Sequence, residues 1–146
     1  MRLREEVITE LVQQWLDRAH TDFGAATVLL EEGRYLSVVG FHSQQAAEKS
    51  LKALLVHHQV EFPKTHKLDE LLTLLAPLHP ALTGSLAGVA AALNSYGVEV
   101  RYPGDLPELT LQTASAAVEH ASRVRRAVYA ALGEPAPDTG GMRGDL

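Results

Sequence analysis

Between Tyr35 and Gln59 the chain sets apolar residues almost all the way round a helical wheel. A helix patterned that way is buried on several sides, so it belongs at the centre of a helical assembly. The other elements are arranged around it. A first helix is predicted from about Glu5 to Glu32, because Leu11, Trp15, Ala19, Phe23, Ala26 and Leu30 recur at helical spacing and Gly33 follows as a stop. The central helix ends before the extended EFPKT, where Pro63 marks the break. A short helix is predicted over Lys67 to Leu75. A fourth runs from about Pro80 to Tyr96, with Leu82, Leu86, Val89 and Leu93 on one side. GVEVRYPGDLP reads as a loop. The last helix is predicted from about Pro107, whose missing N–H suits a first turn, to Leu132, with Gly133 closing it. No stretch alternates like a strand, and no internal repeat is visible. The expected fold is all-α: an antiparallel up-and-down helical bundle of four long helices plus one short helix. It should occupy residues 1–132, with a flexible Pro/Gly-rich tail over 133–146. Trp15, Phe23, Leu51, Leu54, Leu86, Leu93 and Val124 should lie in or near its core.

Several chemistries are excluded. The chain has no cysteine, so disulfides, zinc–thiolate sites and thiol nucleophiles are ruled out. A formal net charge of -5 argues against a broad basic surface for nucleic acid, although a local basic pocket is compatible with it. No apolar run approaches the ~18 residues of a membrane span. The start, MRLREEVITE, lacks the apolar stretch of a secretory signal. A cytoplasmic protein is therefore expected. No phosphate-cradling glycine loop, nucleophile elbow or Glu-x-x-His pair occurs. His57 and His58 diverge by ~100° on a helix and, with His66, read as a surface cluster; no metal or cofactor is expected.

Polar residues on helices that must pack are the remaining signal. In the central helix one stripe holds His42, Gln45, Glu48, Lys49 and Lys52, with Glu48 and Lys52 in the favourable i, i+4 order for an ion pair. The stripe reads either as a solvated face or as a polar cleft between helices that holds a phosphate or a base. Asp22 falls at the edge of the first helix's apolar face. There a carboxylate either reaches water or takes a partner such as Lys49, Lys52 or Arg101. His120, on the apolar side of the last helix, reads as a satisfied core histidine. Gly84, Ala87, Gly88, Ala91 and Ser95 give the fourth helix a face of small residues that another helix of this chain or of a second subunit can approach closely.

Four segments, taken in order, are similar to those of one known family. FHSQQAAEKSLKALL (Phe41 to Leu55) resembles the second-helix signature of the HEPN (higher eukaryotes and prokaryotes nucleotide-binding) family. RAHTDFGAATVLLEEGRY resembles that family's first helix and its exit, THKLDELL the entry to the short helix, and VRYPG the Arg-Tyr-Pro motif before the last helix. The resemblance implies a helical bundle that is often dimeric and is frequently paired with a minimal nucleotidyltransferase in toxin–antitoxin systems. Many members are metal-independent ribonucleases that carry an Arg, four to six residues and then a His. In such a pair histidine moves the 2′-OH proton and arginine stabilises the phosphorane charge. This chain departs from that pattern, since Arg101 is followed by YPGDLPELT and the next histidine is His120. Two functions are expected. One is a nucleotide- or RNA-binding module, self-associated as a homodimer or larger homo-oligomer and partnered by a nucleotidyltransferase. The other is a ribonuclease with an atypical Arg-Tyr-Pro site. The candidate ligand-binding residues are Arg101, Tyr102, Asp22, His42, Gln45, Glu48, Lys49 and Lys52, with no catalytic residue assigned.

Overall fold

The computed structural model describes residues 3–96 and 108–137. Over these residues the chain forms α1 (Arg4–Glu32), α2 (Leu36–His57), α3 (Leu68–Leu75), α4 (Pro80–Asn94) and α5 (Leu111–Leu132), and no strand. The all-α bundle of four long helices and one short helix is present as expected.

Local chemistry explains the helix ends. Glu5 and Glu6 lie in the first turn of α1, where the helix dipole favours negative charge. Gly33 closes α1 in the left-handed region at φ 68°, and its N–H donates to the carbonyls of Leu29 and Leu30. Pro80 opens α4. The start of α5 differs from the expectation at Pro107, which lies outside the described residues. The helix begins at Leu111, because the Thr110 hydroxyl accepts the Thr113 N–H at 3.0 Å and caps it there. No sequence-local cap opens α3. Instead Asn94, at the end of α4, accepts the Leu68 N–H through Oδ1 at 2.8 Å and donates through Nδ2 to Asp69 Oδ1 at 2.7 Å.

The position of α2 follows from its composition. Thirteen of its 22 residues are buried, and it packs against each of the other four helices. Alanines line its seams with α1 and α5. Ala46 meets Phe23 and Ala121, while Ala26, Val39 and Ala114 form a second small cluster, so short side chains bring the three backbones close together. The main core lies toward the other end of α2. Leu51, Leu54 and Leu55 meet Leu16 of α1, Leu68, Leu71 and Leu75 of α3, Leu86 and Leu93 of α4, and Val124 and Val128 of α5. Of the expected core residues, Leu51, Leu54, Leu86, Leu93 and Val124 are buried there, Phe23 is buried in the small cluster with Ala46 and Ala121, and Trp15 packs half-buried against the main core.

A close approach at Gly40 positions the site. A Cβ on this residue would meet Leu109 Cδ1 at 2.7 Å and the Tyr96 ring at 3.2 Å. Glycine thus lets the end of α4 and the residue ahead of the α5 cap close over the start of α2. Tyr96 and Leu109 also lie on either side, in sequence, of the segment that carries Arg101 and Tyr102.

Candidate functional site

α1 and α2 are joined by three residues and run antiparallel, which sets Trp15 beside Lys52, Asp22 beside Lys49 and Ala26 beside Val39. The polar stripe of α2 consequently divides between two surroundings.

At the first, Asp22 is 8% exposed and has two partners on α2. Its Oδ1 lies 2.8 Å from His42 Nδ1, and its Oδ2 lies 2.6 Å from Lys49 Nζ. A carboxylate can only accept, so His42 carries a hydrogen on Nδ1. In the neutral ring that tautomer leaves Nε2 as a lone pair, the form in which an imidazole can accept a proton or a donor from a ligand. His42 and Lys49 are half-buried, and the exposed Phe41 ring meets the His42 ring edge-on at 5.5 Å. An exposed aromatic ring, a carboxylate-oriented imidazole and a paired ammonium therefore share one patch at the α1–α2 seam.

At the second, Glu48 is buried and held from three sides. Lys52 Nζ lies 3.0 Å from Oε2, while His66 Nδ1 at 3.0 Å and Gln44 Nε2 at 3.5 Å meet Oε1. Gln44 Nε2 also donates to the His66 carbonyl at 2.8 Å, and Gln45 Nε2 donates to Gln44 Oε1 at 2.8 Å. The Lys52 ammonium, buried with its partner, stands 5.5 Å from the Trp15 ring centre and 5.6 Å from that of Phe62. These two rings meet edge to face. Glu48 and Lys52 form the expected i, i+4 pair, but inside the protein, where it ties the connection between α2 and α3 to the core. A pair enclosed in this way has little freedom to take a ligand.

Asp22, His42 and Lys49 thus come together. Glu48 and Lys52 face elsewhere, with Gln45 bridging toward them through Gln44. Lys52, one of the partners considered for Asp22, is committed to Glu48. Arg101 and Tyr102 lie outside the described residues. His120 differs from the satisfied core histidine expected: it is half-buried, and its buried Nδ1 has no hydrogen-bond partner among the described residues.

Sequence reasoning missed another buried charge. Arg125 of α5 lies 4.4 Å over the Phe23 ring, and its Nη2 is 2.9 Å from His20 Nδ1. Burial lowers the guanidinium from its usual range. Burial, followed by the Arg125 charge, also lowers His20, so the imidazole is held neutral as the acceptor. The available signal was an arginine between Val124 and Val128 on an otherwise apolar stripe.

A model of the HEPN domain family matches residues 12–132. The fold is similar to the crystal structure of an archaeal HEPN homologue, with 25% sequence identity and a TM-score of 0.65 over 82% of this chain and 96% of that one. A Thermus thermophilus protein of known crystal structure is similar at 28% identity, with the same TM-score and coverage. Among curated proteins no match was found.

Proposed function

The chain belongs to the HEPN domain family, and on that premise we propose that it is a nucleotide- or RNA-binding module whose ligand meets the α1–α2 seam at Phe41, His42 and Lys49. The observation that carries this reading is the exposed Phe41 ring set against an imidazole that Asp22 orients. An exposed aromatic face can stack a base of any identity. The adjacent imidazole and ammonium supply a lone pair and a charge for the sugar–phosphate.

Arg101 and Tyr102 are assigned to the same site. Tyr96 and Leu109, which bracket them in sequence, both lie against Gly40, two residues from His42. Arg101 stands five positions after Tyr96 in the sequence. Arginine suits a phosphate there, because its planar fork engages two oxygens.

The biological setting proposed is a cytoplasmic homodimer or larger homo-oligomer that partners a minimal nucleotidyltransferase, as in toxin–antitoxin pairs. Supporting self-association, Gly84, Ala87, Gly88 and Ala91 of α4 and Ser95 just after it are all exposed, and an added Cβ at Gly84 or Gly88 meets nothing within 4 Å. Within the described chain that face is open to a partner helix. Among the described residues no helix is long and apolar enough to cross a membrane.

A second reading, a metal-independent ribonuclease, is favoured by the Asp22–His42 geometry. The carboxylate fixes His42 with Nε2 free of the Asp22 bond, so His42 takes the acid–base role and Arg101 stabilises the phosphorane.

The test is fluorescence anisotropy with labelled oligoribonucleotides and mononucleotides at fixed salt. His42→Ala, Phe41→Ala and Arg101→Ala should each weaken binding by about tenfold or more with the fold intact. Wild-type affinity in all three variants would refute the site. RNA cleavage in EDTA that His42→Ala abolishes selects the ribonuclease reading. Capture of a co-expressed nucleotidyltransferase from the same host tests the partner.

A further inference from the structure

We propose that His58 and His79 form a bis-imidazole site for a divalent transition-metal ion, at the junction of α2 with the α3–α4 connection. His58 follows the last residue of α2, and His79 is the residue from which α4 starts. They are 21 positions apart in sequence, yet their Nε2 atoms face each other at 2.8 Å, with ring centres 4.9 Å apart and planes tilted by 53°. Both rings are half-buried, so each is held in place while an edge remains open to solvent.

Ligand chemistry follows from that geometry. Two neutral imidazoles facing through Nε2 share one hydrogen: one ring donates and the other accepts. Moving the donor's hydrogen to its own Nδ1 leaves two Nε2 lone pairs aimed at one point, with no net proton released. A tetrahedral zinc ion at ~2.0–2.1 Å from each nitrogen needs the two atoms ~3.3 Å apart. A small side-chain rotation opens the gap by that amount. Neutral imidazole is the form that binds a metal. Imidazole nitrogens suit zinc, copper and nickel, and copper(II) should bind tightest. Among the described residues no group of three or more His, Asp or Glu side chains gathers for a metal. The protein therefore supplies two ligands and water completes the shell, an open site. His57 only flanks the pair, its ring meeting His58 edge-on at 4.9 Å, and His66 is engaged with Glu48. A bound ion ties the end of α2 to the start of α4 and stiffens that end of the bundle.

The test is calorimetric titration of the whole chain with zinc chloride at pH 7.5 in a non-chelating buffer, alongside thermal unfolding with and without the ion. One ion per chain and a raised Tm are expected. Affinity should fall by about tenfold or more in His58→Ala and in His79→Ala, and should be unchanged in His66→Ala. Because either alanine variant could unfold that corner, the wild-type chain is also titrated with substoichiometric copper(II) and its imidazole resonances followed by NMR. Selective broadening of His58 and His79 supports the site. Absence of saturable binding, wild-type affinity in both variants, or broadening centred on His57 or His66 alone would overturn it.

Discussion

Asp22 and His42, twenty residues apart, meet at 2.8 Å across the α1–α2 seam, and the second carboxylate oxygen is taken by Lys49 at 2.6 Å. This one contact gives His42 a defined tautomer and spares the protein an unpaired carboxylate in a packed seam.

Replacing Asp22 with Asn keeps the shape but removes the charge that holds both partners. A loss of about 1.5–3 kcal/mol is expected, the range for hydrogen bonds to charged groups, with Lys49 and His42 half-buried beside the altered amide. Urea unfolding measures it. A Cm equal to that of the wild type would show that the contact contributes nothing to stability.

Glu48 is the more severe position. Glu48→Ala leaves the Lys52 ammonium, 9% exposed, without its counter-charge, and should destabilise by about 3–5 kcal/mol. The double replacement Glu48→Leu with Lys52→Met removes both charges together and should recover most of that loss. Thermal unfolding of the single and double variants distinguishes the cases. Additive losses would contradict an ion pair as the source.

Stability should fall on mild acidification. Burial is the main cause that lowers both His20 and His58 from 6.5. Between the lowered folded values and 6.5 the unfolded chain binds more protons than the native one, so stability rises with pH in that window and is fully present above it. Cm measured from pH 7.5 down to pH 5 should decline below about 6.5, with a shallower decline in His20→Gln and in His58→Gln. A slope identical to that of the wild type in both variants would exclude these two histidines as the cause.

The start of α5 depends on Thr110 rather than on Pro107. Thr110→Ala removes the acceptor for the Thr113 N–H and should cost about 1 kcal/mol. Denaturant titration that finds less than ~0.3 kcal/mol would mean another group caps the helix.

Several features needed only the sequence. The 3.6-residue spacing of Ala19, Phe23 and Ala26 in α1, and apolar residues all round α2, sufficed for an all-α bundle with α2 at its centre, because burial of a periodic face dictates which side of a helix turns inward, although Leu11, counted on the same face, lies exposed. Gly33 stopped α1 through local backbone freedom, and the order Glu48 then Lys52 made an ion pair through helical geometry alone. These are short-range effects, readable within a few residues. Tertiary structure decided how the polar stripe was shared out. Lys52 turned inward to Glu48, Trp15 and Phe62 while Lys49 crossed to Asp22, a choice that depends on which side chains α1 and the 58–67 connection bring near. Likewise Asn94 capped α3 from 26 residues away, His79 met His58, and Arg125 found His20 across the bundle. Such contacts join positions with no fixed spacing in sequence. They exist only once the helices have packed, when each buried polar group must take whichever partner lies within ~3 Å.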